Sequence, residues 1–181
     1  YLGEGFAHGI EDAERYHQRS FHNLHRNGDL YPTHEIGPIA KYLDINRGNR
    51  FISLAAFASK AVSLNTIAGR SYGDGLQKFM EGDFVTTMIK GANGETIMLA
   101  HDTPLPRPYS RGNVVHGTKG TWMEINKSIH IIGQSPEHKW EDITPYLEKY
   151  EHPMWKRFQE SGVHGSHDGM DYLEFEAFAY C

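Results

Sequence analysis

A phenol and an imidazole three residues apart, Tyr31 and His34, are the side chains of this sequence best suited to chemistry. They lie in the run Gly28-Asp29-Leu30-Tyr31-Pro32-Thr33-His34-Glu35-Ile36-Gly37-Pro38. Positioned side chains of these two types can move protons to and from a reacting group. The local sequence says where they stand. Pro38 has no backbone N–H and clashes with the preceding turn, so it belongs in a helix's first turn. The spacing predicts a helix from about His34 to Leu43, with Ile36, Ile39, Ala40 and Leu43 on a buried face. Tyr31 and His34 then stand where the backbone turns, near the positive end of the helix dipole. That field disfavours imidazolium and keeps a histidine able to accept a proton. A Tyr and a His at a helix start can equally be packed, hydrogen-bonded parts of a fold, so local spacing leaves both readings open.

Bulk composition narrows the classes. The chain has 181 residues, enough for one domain with its own core. Hydrophobic residues are 39 % and aromatics 12 %, a globular composition. Eighteen basic against 23 acidic side chains give a net charge of −5 with no basic cluster, which argues against a nucleic-acid partner. No apolar stretch reaches membrane-spanning length and no signal peptide opens the chain, so no membrane partner is expected. The single cysteine, Cys181, is the last residue and excludes an internal disulfide. The opening Tyr1-Leu2-Gly3-Glu4-Gly5-Phe6-Ala7 reads as a strand. The closing run from Met170 to Tyr180 reads as a helix with no stop signal. Such ends are those expected of a piece of a longer protein.

The elements that must position the pair follow from patterning. Residues 10–27 are polar and read as a loop or short helix, and Asn46 to Arg50 as a turn. Phe51 to Phe57 is short and apolar, as a buried strand would be. Residues 59–76 read as a surface excursion. Phe84 to Ile89 and Thr96 to Ala100 flank Asn93-Gly94 and predict a hairpin. Asp102 to Pro108 holds three prolines and cannot be a central strand. Asn113 to His116 and Thr121 to Ile125 read as strands about a Gly117–Gly120 turn, then Ser128 to Ile132, then a helix from Asp142 to Tyr150. The reading is α+β. No Gly-x-Gly-x-x-Gly phosphate loop occurs, so this stretch alone is not expected to hold a dinucleotide.

With these runs in view, the chain resembles the NAD-dependent glycoside hydrolases typified by bacterial α-N-acetylgalactosaminidase, within the Gfo/Idh/MocA oxidoreductase superfamily. The resemblance is carried by Gly28 to His34 with Ile45-Asn46-Arg47-Gly48; by Arg107-Pro108-Tyr109-Ser110-Arg111 with Gly117-Thr118-Lys119-Gly120; by Tyr150-Glu151-His152-Pro153-Met154-Trp155; and by His167-Asp168-Gly169-Met170-Asp171-Tyr172. It implies the superfamily's C-terminal domain, an open-faced, mostly antiparallel β-sheet with helices packed on one side. It also implies a preceding domain that binds the cofactor, NAD. The implied activity oxidises a sugar hydroxyl, which acidifies the neighbouring C–H, lets the aglycone leave, and ends with water addition and return of the hydride.

The resemblance places Tyr31 and His34 on the family's Tyr-x-x-His catalytic pair. It implies that Tyr109 and Arg107, His167 and Asp171 meet the carbohydrate. For Asp171, at the start of the last helix, a cap is the expected role ahead of substrate contact, because Asp is a preferred N-terminal residue. Three departures bear on activity. Glu35 stands where the family has Gly, and a carboxylate there would raise the pKa of His34 against the dipole. Asp168 replaces a Gly. Gly5-Phe6-Ala7-His8 stands where an early strand of the family carries a tyrosine. A sugar dehydrogenase of the same superfamily and a non-catalytic oligomerisation or sugar-binding domain therefore remain alternatives. An open sheet face implies a homo-oligomer, and the compartment stays open between bacterial cytoplasm and periplasm. Twelve histidines, among them His17, His22, His25 and His164, show no zinc-ligand motif, and no metal is expected. Lys119 reads as a solvated turn tip. Trp122, Trp140 and Trp155 read as packing residues before sugar-stacking ones.

Overall fold

The computed structural model describes residues 18–72, 78–102, 105–162 and 169–179. The expected strand at Tyr1–Ala7, and His8, His17, His164, His167 and Asp168 with it, lie outside the described residues. The chain divides into two compact units, Tyr1–Tyr109 and Ser110–Cys181. Their architecture is α+β, and every strand pairing described is antiparallel.

In the first unit the elements run α1 (Gln18–His25), α2 (Thr33–Tyr42), β1 (Phe51–Ala58), α3 (Ser63–Tyr72), β2 (Phe84–Gly91) and β3 (Thr96–Asp102). The strands form one sheet in the order β1-β2-β3. β2 and β3 are the predicted hairpin. Its turn closes with Gly91 N–H donating to Glu95 O at 2.8 Å, and Gly94 takes a φ of +101° that side-chain-bearing residues avoid. Strand alternation sends Val85, Thr87 and Ile89 of β2, and Ile97 and Leu99 of β3, to one buried face. Ile36, Ile39 and Leu43 of α2 pack on that face against Ile89, Ile97 and Leu99. Buried Asn49 then locks helix to hairpin. Its amide donates to Leu43 O at 2.9 Å and Glu95 Oε1 at 3.0 Å, and its side-chain oxygen accepts from Arg50 N–H and Asn93 N–H.

Three expectations need correction. Pro38 is the sixth residue of α2, beyond the first turn. The helix accommodates it because Gly37 before it offers no Cβ to clash with the proline ring. β1 forms as expected but is exposed at every position. Among the described residues it is an edge strand paired only with β2, and its apolar side chains lack a covering element there. The stretch 59–76 is not a mere surface excursion. It holds α3, whose Leu64 and Ala68, spaced i and i+4, are buried with Leu24 and Phe79 as a second small core. Asp83 secures the start of α3, accepting Val62 N–H at 3.0 Å, Ser63 N–H at 2.8 Å and the Ser63 hydroxyl at 3.0 Å.

The second unit carries β4 (Val114–Gly117), β5 (Gly120–Met123), β6 (Ser128–Ile131) and β7 (Glu141–Asp142) as a four-stranded meander. The helices α4 (Thr144–Tyr150), α5 (Pro153–Ser161) and α6 (Met170–Ala179) follow. β7 and α5 were not expected. α5 begins with Pro153 after His152, whose Nδ1 accepts Met154 N–H at 3.2 Å. Its buried Phe158 meets Trp155 and Tyr172. A Cβ on Gly169 would overlap the Phe158 ring, so only glycine fits there. No described helix is long and apolar enough to cross a membrane.

Candidate active site

The Tyr31–His34 pair is built by the loop and first turn that the sequence places there. Asp29 side-chain oxygen Oδ1 accepts the Tyr31 N–H at 3.3 Å, an Asx turn that bends the chain into α2. Pro32 supplies its carbonyl to Glu35 N–H and Ile36 N–H, at 3.1 and 2.8 Å, and so opens the helix. Tyr31 and His34 then share a face. A 2.8 Å hydrogen bond joins Tyr31 Oη and His34 Nε2, and the ring centroids are 4.9 Å apart. When His34 carries its hydrogen on Nδ1 the phenol donates; when Nε2 is protonated the imidazole donates. Both residues are exposed, Tyr31 at 40 %. Phenol and imidazole can thus pass a proton between them in either direction, at the surface.

Behind the pair lies a charged network that sequence reasoning missed. His101 continues the buried face of β3 beyond Ile97 and Leu99 and pairs across the sheet with Val85. Its Nε2 lies 3.1 Å from Glu81 Oε1, and its Nδ1 lies 3.6 Å from Asp29 Oδ1. Glu81 is 1 % exposed. Burial alone would drive the His101 proton off. The hydrogen bond to Glu81 and the charges of Glu81, Asp29 and Glu35 outweigh it and raise the imidazole above its ordinary range. Glu35 is half-buried. Burial first, then the neighbouring charges of Asp29 and Asp102, push its carboxyl above the usual carboxylate range, against the pull of His101 and Arg107. Its Oε2 is buried and makes no hydrogen bond, as are Asp29 Oδ2 and Glu81 Oε2.

Of the other expected site residues, Arg107 donates from Nε to Asp102 Oδ2 at 2.6 Å, just past the end of β3. That hydrogen bond raises the guanidinium further. Tyr109, two residues on, is 88 % exposed. Asp171 is the second residue of α6, in its first turn, where its charge suits the helix dipole. The expected cap position falls before it. Trp155, stacked on Phe158, lines a groove of about 370 Å³ with Met154, Met170, Leu173 and Glu174. Trp140 is 49 % exposed beside His130 and Lys139. Among the described residues no group of three or more His, Cys, Asp or Glu is arranged to hold a metal ion.

An antiparallel α+β unit presenting an exposed phenol–imidazole couple is a domain equipped for acid–base chemistry, and comparison with known proteins gives its class as a glycoside hydrolase domain. The chain belongs to the family described as "Glycosyl hydrolase 109, C-terminal domain", which matches residues 1–181. It is 51 % identical over 165 residues to a "Glycosyl hydrolase family 109 protein" of Stenotrophomonas maltophilia, covering 88 % of this chain and 36 % of that protein. A protein of the same description from Parabacteroides distasonis is 45 % identical, covering 86 % of this chain and 34 % of its own length. An "Alpha-N-acetylgalactosaminidase" of Tannerella forsythia is 43 % identical with the same coverage, 86 % and 34 %. The chain spans about a third of the length of these relatives. The resemblance to the glycosidase branch of the Gfo/Idh/MocA superfamily thus holds.

Proposed function

We propose that this chain is the substrate-facing domain of an NAD-dependent glycoside hydrolase acting on α-linked N-acetylhexosamines by transient oxidation of the sugar. The observation that carries the reading is the 2.8 Å Tyr31–His34 contact at an exposed helix start. Oxidising a sugar hydroxyl requires a group to take its proton. His34 accepts it, and Tyr31 holds the imidazole in register or relays the proton through Oη. Arg107, Tyr109, His167 and Asp171 bind the carbohydrate. Arg107 is held by Asp102, which aims its guanidinium while leaving the side chain 44 % exposed. An exposed proton acceptor is the group that hydride transfer to NAD needs beside the sugar hydroxyl. NAD, held mainly by another part of the full-length protein, would take and return the hydride.

The test is turnover of an aryl α-N-acetylgalactosaminide by the full-length enzyme, with and without NAD. Release of the phenol that disappears when NAD is removed and returns when it is restored supports the reading. Release indifferent to NAD contradicts it.

The apolar sheet face supports a second part of the proposal, a homo-oligomer. Phe57, Met88 and Met98, on the sheet face opposite α2, are 75 %, 39 % and 66 % exposed, and β1 leaves one edge unpaired among the described residues. A second copy of the chain covers this surface. Light scattering of the full-length enzyme carrying Phe57→Asp shows a smaller mass than wild type; an unchanged mass argues against this face.

A further inference from the structure

We propose that His101 is a positioning residue for the Tyr31–His34 couple, holding the Asp29 turn against the buried carboxylate of Glu81. The proposal rests on the acid–base reading of that couple. The argument is geometric. Glu81 is 1 % exposed, and a buried carboxylate needs a donor. His101 supplies one from Nε2 at 3.1 Å. Its other nitrogen faces Asp29 Oδ1 at 3.6 Å, and that same oxygen accepts the Tyr31 N–H. A line of contacts therefore runs from the interior, through one imidazole, to the backbone of the residue that carries the phenol. The 13 % exposure of His101 and 8 % of Asp29 keep water from substituting for it.

The choice of imidazole follows from its two faces. A carboxylate faces each ring nitrogen, one hydrogen-bonded and one at ion-pair distance, and only the imidazolium presents an N–H and positive charge to both. A glutamine offers a donor on one side and an acceptor on the other, so it satisfies Glu81 or Asp29 and repels the one left. A lysine offers three donors and no acceptor and can serve both. Three charged neighbours bear on His101 from the surrounding segments: Glu81 ahead of β2, Asp29 ahead of α2 and Glu35 on α2; Asp102, the next residue on β3 and engaged by Arg107, acts in turn on Glu35. Loosening the turn moves Tyr31 and the imidazole it holds. Misplacement by about 1 Å can cost on the order of 10²-fold in rate.

The experiment compares the full-length enzyme with its His101→Gln, His101→Lys and Glu81→Gln variants in kcat, KM and their pH profiles. Amide exchange at Tyr31 is followed in protein labelled with ¹⁵N-tyrosine. His101→Gln is expected to lower kcat by about 10- to 100-fold, leave KM within about twofold, and speed exchange at Tyr31. His101→Lys recovers much of kcat and moves the alkaline limb to higher pH. Should His101→Gln not fold, Glu81→Gln, which keeps size and an acceptor, shifts the alkaline limb to lower pH. Wild-type kcat with unchanged Tyr31 exchange in His101→Gln, or an unmoved limb in Glu81→Gln, overturns the proposal. Failure of the acid–base reading looks different: His34→Ala then turns over normally whatever the His101 variants do.

Discussion

Two polar arrangements in the first unit meet at the Asp29 turn and have opposite characters. Tyr31 and His34 are neighbours in sequence, exposed, and bonded to each other. Glu81, His101 and Asp29 come from three separate segments, are buried or nearly so, and lie within 3.1 and 3.6 Å of one another's charged atoms only because the fold brings them together. The contrast separates two tasks. In the proposed function the exposed couple is the part that meets a substrate. The interior triad has little surface to meet anything, and its geometry serves the turn from which the couple projects. Asp29 belongs to both, since it receives His101 on one side and the Tyr31 N–H on the other.

If the interior holds the surface, damage to the floor beneath the triad should reach the couple. Leu99 stands two residues before His101 on the same buried face, packed with Ile89, Ile97 and α2. Leu99→Ala is expected to cost about 2–5 kcal/mol of stability, from lost burial plus a cavity. Thermal unfolding measures it. A cost under about 1 kcal/mol would mean that this face is not the support described here.

Asn49 gives a smaller test of the same connection. It joins the end of α2 to the hairpin through four hydrogen bonds. Asn49→Ala leaves buried partners unsatisfied and should cost about 1–3 kcal/mol. Denaturant unfolding with an unchanged midpoint would contradict the assignment.

The pH dependence of stability is the mildest probe. His101 binds its proton more tightly in the fold than its ordinary value of 6.5. Its contribution is therefore complete below that value and is lost as pH climbs through the raised one. Glu35 has the same sign: protonation favours the fold, and that contribution is lost from its ordinary 4.5 upward through the raised value. Both effects weaken the fold toward alkaline pH. The melting temperature should fall as pH rises through neutrality, and His101→Gln should flatten the fall. Equal slopes in the two proteins would remove His101 from the account.

What the sequence made legible was local. Asn93-Gly94 between two β-rich runs specifies its hairpin by turn chemistry alone, and the helical spacing of Ile36, Ile39 and Leu43 specifies the packed face of α2. α3 was hidden because its start is secured by Asp83, twenty residues further on. α5 was hidden because histidine is not among the preferred N-caps, yet His152 serves as one. β1 misled in another way. An apolar run signals a need for cover, and the described residues leave that need unmet. The couple itself was legible because three residues of spacing at a helix start bring two side chains together. Glu81 and His101 were not, since nothing local marks a buried glutamate or names its partner. The alternation of Ile97, Leu99 and His101 did carry half of the signal, by placing that histidine on the inner face.

The central claim is that His34 takes the proton of a sugar hydroxyl with Tyr31 at its side. The most direct measurement is turnover of an aryl α-N-acetylgalactosaminide by the full-length His34→Ala enzyme, with NAD binding followed in the same preparation. The account predicts a fall of about 10²- to 10⁴-fold in turnover with NAD affinity retained. Turnover near that of the wild type, with NAD still bound, would contradict it.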